Sequence, residues 1–204
     1  MKGLLLKDFY MAAKYCKAVL LLVIVFLAAS FLGEENIFFA VYPSMIAGII
    51  PMTILSYEER DKWIQYSAAL PYTKAQVVSS KYLLGLLFWA AAFLVSMAAT
   101  AFRMIGNNSF SMDTFLVMGT ALLILGLIGP TFLLPFVFKF GAEKGRIAFY
   151  VMIGFVCAVI TLLTGLGFQA ILPFSKPVLI GICGIGILLY ILSWQLSILF
   201  FKKR

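Results

Sequence analysis

Apolar residues run along this chain in six long blocks, and polar positions gather in the gaps between them. The blocks cover about residues 18–33, 37–55, 83–102, 114–138, 147–168 and 178–201. A helix of about 20 apolar residues crosses the hydrocarbon core of a bilayer. The pattern therefore predicts an all-α polytopic membrane protein with six transmembrane helices in one domain over residues 1–204. The first block is short for a span and is expected to borrow Lys17 or Gly33 at its ends by snorkelling.

The stretch before the first block has its own pattern. At helical spacing Lys2, Lys7, Lys14 and Lys17 fall within an arc of roughly 140°. Leu4, Leu5, Phe9, Ala12, Ala13 and Cys16 lie mostly elsewhere. This predicts an amphipathic helix over residues 1–17, lying on the inner leaflet with its lysines toward lipid phosphates.

Composition strengthens the membrane reading. Of 204 residues, 64% are hydrophobic and 12% charged. Soluble domains average about 45–50% apolar and about 25% charged residues. The mean hydropathy is +1.08. The net charge is +8. In a soluble chain that charge would point to nucleic acid. Here the basic residues sit in short gaps beside apolar blocks, so no nucleic-acid partner is expected. Fourteen of the sixteen basic residues fall at the N-terminus, after blocks two and four, and in the tail; the other two are Arg103 and Lys176. The positive-inside rule then places both termini in the cytoplasm. A cleaved signal peptide is the competing reading of the start, but its basic region would be seventeen residues long and five further blocks follow.

Several chemistries are excluded or disfavoured. There is no histidine. Cys16, Cys157 and Cys183 show no C-x-x-C spacing and read as small hydrophobic residues, so no metal site is expected. No charged residue falls inside a predicted span, which counts against ion-coupled transport and voltage sensing. No acid–base or metal constellation suits an intramembrane enzyme. A G-x-x-x-x-G-K-[ST] loop is absent, so ATP and magnesium would have to be held by another chain.

Two blocks carry paired prolines, Pro43 with Pro51 and Pro130 with Pro135. Proline frees a backbone carbonyl and bends a helix, so these are candidates for kinks lining a pathway. Gly181, Gly184 and Gly186 suggest close helix contact. Any pathway would be mostly apolar and aromatic, which suits amphipathic cargo.

The segment 56–82 interrupts the apolar pattern. With Leu55 it reads "LSYEERDKWIQYSAALPYTKAQVVSSKY" and holds seven charged residues. Between Ser56 and Tyr66 the composition suits a short helix, with acids in its first turns where the helix dipole favours them. Leu70-Pro71 breaks it. Thr73 is placed to cap the next helix. Trp63 could anchor the segment in a partner's groove.

An acidic pair, basic residues and Trp, a Leu-Pro turn and a Lys-Tyr opening of the third block resemble the membrane subunits of ABC-2-type exporters. The residues are Glu58, Glu59, Arg60, Lys62, Trp63, Leu70, Pro71, Lys81 and Tyr82. The start "MKGLLLKDFYMAAKYCK" and "FKFGAEKGR" (Phe138–Arg146) are similar to that family as well. Small bacterial permeases such as the phenol-soluble modulin exporter subunit are the nearest likeness. The resemblance implies a bacterial plasma-membrane permease without catalytic residues, working as two copies with a separate P-loop ATPase. It implies that Glu58, Glu59, Arg60, Asp61, Lys62, Trp63, Leu70, Pro71 and Lys81 form the coupling element seated on that ATPase. Antimicrobial or cytolytic peptides or drugs would be its outward cargo. The alternative is a non-transporting assembly or sensor subunit whose loop docks another protein.

Overall fold

The computed structural model describes residues 2–32, 37–67, 69–106, 110–145, 147, 150–151, 154, 158 and 176–203. Among these described residues every extended element is a helix. In chain order these are α1 (Lys2–Tyr15), α2 (Lys17–Leu32), α3 (Ile37–Ala47), α4 (Ile50–Arg60), α5 (Trp63–Ser67), α6 (Lys74–Gly106), α7 (Met112–Phe140) and α8 (Lys176–Lys203). By length and composition α6, α7 and the Cys183–Lys202 part of α8 can each cross a membrane. The pair α1 and α2, bent by 77° at Cys16, meets the same test when taken together. The expected fifth span, 147–168, lies almost wholly outside the described residues.

The second apolar block divides into two eleven-residue helices. Gly48 and Ile49 form a turn between α3 and α4. Pro51 lacks an N–H and sits in the first turn of α4, where a missing donor costs least. Glycine is required at 48 by crowding: a Cβ there would lie 2.9 Å from the Pro130 ring and 3.1 Å from the Gly126 carbonyl.

The long helices pack side by side. Phe138 meets Phe201, and Thr131 meets Ser193, so α7 and α8 run parallel. Lys74 reaches the Lys202 carbonyl, so α6 is antiparallel to both. The main apolar core is built by Met52, Leu55, Val78, Leu134 and Val137 with Tyr82, Tyr190 and Phe201. A smaller cluster of Ala12, Cys16, Ile50, Ile54 and Leu84 fastens α1 to α4 and α6. Within lipid such contacts stabilise through close van der Waals packing rather than through transfer from water. On the opposite faces Leu21, Leu94, Leu188 and Leu192 are exposed, as expected where the solvent is lipid.

One end of the bundle collects the polar chemistry. The end of α4, the start of α6 and the ends of α7 and α8 meet there, with α1 laid across them. Among the described residues a Cβ at Gly181, Gly184 or Gly186 would meet open space, so the close contact expected of these glycines is absent there.

Candidate functional site

The segment 56–82 is divided differently from its predicted form. No separate helix begins at Ser56. Instead α4 continues through Glu58 and Glu59 to Arg60, because Met52, Ile54 and Leu55 keep its first turns packed in the core. The helix ends at Asp61, whose N–H bonds to the Tyr57 carbonyl. Lys62 then adopts φ 54°, a left-handed conformation costing a non-glycine residue about 1–2 kcal/mol. This reverses the chain into the five-residue α5. The Leu70-Pro71 turn follows, and Thr73 caps α6 in a reciprocal pair. Its hydroxyl accepts from the Gln76 N–H, and Gln76 Oε1 accepts from the Thr73 N–H.

Behind this corner lies a group of four charges, three of them buried and Lys7 half-buried. Lys81 of α6 donates to Asp8 Oδ1 at 2.5 Å and to Glu58 Oε1 at 2.7 Å. Asp8, Glu58 and Lys81 are 0%, 1% and 1% exposed. Lys7 bonds Glu58 Oε1 as well and lies 3.3 Å from Asp8. Ser80 donates to Asp8 Oδ2 at 3.0 Å. Two acids and two lysines balance, so the group is neutral. Burying unbalanced charge would cost several kcal/mol. Glu58 Oε2 is buried without a partner. Among the described residues no group of three metal-ligating side chains occurs.

Its neighbour Glu59 does something else. Glu59 Oε2 accepts the Ala142 N–H at 2.6 Å, at the start of the helical residues 142–145. A carboxylate at a helix N-terminus is favoured by the dipole. Gly141 has φ 94°, and a Cβ there would lie 3.3 Å from both Glu59 oxygens, so only glycine fits. Adjacent acids thus tie α4 to two different places.

The expected coupling residues therefore separate. Glu58 and Lys81 are interior, so they cannot touch a partner's surface directly. Trp63 is not an outward anchor: its ring carries the Lys7 ammonium at 4.0 Å from its centroid and packs on the core. Arg60, Asp61, Lys62 and Pro71 are exposed, and Leu70 is half-buried. Tyr66, outside the expected set, is 62% exposed beside them. Lys7 turns into the charge group rather than toward lipid phosphate. Asp8 was missed by sequence reading, yet it carries a signal: with Leu4 and Ala12 it forms the buried i, i+4, i+8 stripe of α1.

The prolines have local roles. Pro130 and Pro135 lie inside α7, which remains one helix. The carbonyl that Pro135 leaves free is that of Thr131, and Ser193 donates to it at 2.6 Å. Pro51 packs against Gly85, where a Cβ would come within 2.8 Å of its ring. Pro43 lies within α3, beside Ser44.

The profile of the ABC-2 family transporter proteins matches residues 3–202. The chain belongs to that family. No curated protein and no solved structure matches the chain. Family membership makes this ABC-2 chain a multi-pass permease component of an ABC transporter, a transport subunit that is not itself catalytic. Such a permease works with an ABC ATPase subunit. The match is to the family as a whole and does not extend to the phenol-soluble modulin permease.

Proposed function

We propose that this ABC-2 permease drives outward movement of amphipathic cargo, peptides or drugs, using ATP and magnesium bound by a separate P-loop ATPase. The exposed corner of Arg60, Asp61, Lys62 and Tyr66 seats on that ATPase. The polar end of the bundle faces the cytoplasm of a bacterial cell, both termini with it, and six spans cross the plasma membrane. Two permease copies complete the transporter.

The observation that carries this reading is the linkage directly behind the corner. Buried Glu58 and half-buried Glu59 immediately precede it, and they bind α1, α6 and the segment after α7. A force applied at Arg60–Lys62 reaches three other parts of the bundle through charged bonds. Charge-assisted bonds are short and strong, so they transmit displacement rather than absorb it. A solvated loop would have no such anchorage.

The roles of the expected residues divide accordingly. Arg60, Asp61, Lys62, Leu70 and Pro71 belong to the contact surface, and Glu58, Glu59, Trp63 and Lys81 hold it in place. Charge reversal of Arg60, Asp61 and Lys62 together with Tyr66→Ala is expected to abolish co-purification of the ATPase. Thermal stability should change little, because exposed substitutions usually stay within about 0.5 kcal/mol. Undiminished co-purification would overturn the assignment of this surface.

A further inference from the structure

We propose that the single turn Ser79–Tyr82 of α6 relays movement of the α4–α5 corner to α8 and α7, with Tyr82 as a positioning residue for transport. The proposal rests on the reading that the ATPase acts on that corner.

Four consecutive polar residues are buried here, and all four are bonded. Ser79 accepts the Trp194 indole N–H at 3.0 Å. Ser80 and Lys81 hold Asp8 of α1, and Lys81 also holds Glu58 of α4. The Tyr82 hydroxyl lies 2.8 Å from Ser193 Oγ and 2.7 Å from Ser197 Oγ. The Tyr82 carbonyl accepts from the Tyr190 hydroxyl at 2.8 Å. Tyr82 also stacks on Trp194, with ring centroids 5.6 Å apart. Successive residues of a helix point about 100° apart, so one turn can grip neighbours on all sides.

The hydroxyl protons fix a direction. Each hydroxyl has one proton to give. Ser193 gives its proton to the Thr131 carbonyl. It can therefore only accept from Tyr82, and Tyr82 in turn accepts from Ser197. The chain runs from Ser197 to Tyr82 to Ser193 to Thr131, ending on the carbonyl that Pro135 exposes. Nothing in it can be rearranged one bond at a time without leaving a buried group unpaired, at about 1–3 kcal/mol. The turn thus behaves as a unit: the charged side grips α1 and α4, the hydroxyl side grips α8 and α7.

Two measurements test the relay. The first uses the purified chain alone, as a double-mutant cycle of Asp8→Asn with Ser197→Ala. These side chains share no partner and meet only through the turn. The relay predicts a drop in Tm for the double variant well short of the sum of the single drops, whereas independent sites add. Additive drops would overturn it. The second uses the complex with its ATPase, spin-labelled through Leu21→Cys with Leu196→Cys, or through Leu21→Cys with Ala69→Cys. On adding ATP with vanadate, both distances should shift. In Tyr82→Phe the ATPase should stay bound and the Ala69 pair should still shift, while the Leu196 pair loses its shift. A Leu196 shift retained in Tyr82→Phe, or absent without that substitution, would overturn the relay. Loss of both shifts in Tyr82→Phe would do so too. If the ATPase never co-purifies with the unsubstituted chain, the functional reading falls, and the cycle alone decides the relay.

Discussion

Lys81 and Tyr82 are neighbours on α6, yet they solve burial in opposite ways. Lys81 faces α1 and α4 and is held by two carboxylates. Tyr82 faces α8 and is held by two hydroxyls and a stacked indole. The charged side lies at the end of the bundle, beside the exposed corner. The hydroxyl side begins the run of α6 into the apolar interior. A charge without its partner is far more costly to bury than a hydroxyl without one. The charged junction should therefore lose more stability than the neutral one when a partner is removed.

The largest expected effect breaks the charged side. Lys81→Met leaves Asp8 and Glu58 sharing Lys7 alone, an uncompensated buried charge worth about 3–5 kcal/mol. Thermal unfolding of the purified chain in detergent should show it, and adding Asp8→Asn should recover part of the loss. Tyr82→Phe removes two neutral bonds, to Ser193 and Ser197, and should cost about 1–3 kcal/mol. A Lys81→Met loss no larger than that of Tyr82→Phe would erase the contrast.

Gly126→Ala, on α7, probes a third kind of contact made by α6, with no polar bond at all. A Cβ at 126 would lie 2.1 Å from Trp89 Nε1, so the indole must move. Overpacking of this sort costs about 1–3 kcal/mol. If it destabilises more than Lys81→Met, shape rather than charge dominates α6.

Glu59→Ala tests the other, half-buried acid. It removes a helix-capping acceptor from Ala142, typically about 1 kcal/mol. Its loss should be smaller than that of Glu58→Ala, although both remove one carboxylate from adjacent positions. Equal losses would mean that burial of Glu58 carries no special weight.

Much of the helical layout was legible in the sequence. Apolar runs at 83–102, 114–138 and 178–201 fall within α6, α7 and α8, because a continuous apolar stretch has few alternatives in lipid. The bend at Cys16 was readable too, from the change between the lysine-bearing stretch and the apolar block. The two-part form of α3 and α4 was less so. Pro43 and Pro51 flagged disturbance, but the turn at Gly48 and Ile49 depends on how closely Gly126 and Pro130 approach.

The candidate site was harder to read. Acids and bases in 58–62 look alike in sequence, whereas Glu58 points inward and Arg60 outward. Their difference is set by helical phase once α4 is known to continue past Ser56. Trp63 reads as an anchor for a partner because Lys7, fifty-six positions earlier, leaves no local mark of its approach. The hydroxyl chain from Ser197 to Thr131 is invisible for the same reason: it joins three helices distant in sequence.

On the proposed reading, an ATPase bears on this permease at the exposed corner. A photoreactive side chain in place of Tyr66 tests it most directly. Irradiated in native membranes, Tyr66→benzoylphenylalanine should crosslink to a P-loop ATPase, and the same substitution at lipid-facing Leu188 should not. A crosslink to a protein other than an ATPase, or equal yields from the two positions, would rule out this corner as the ATPase contact.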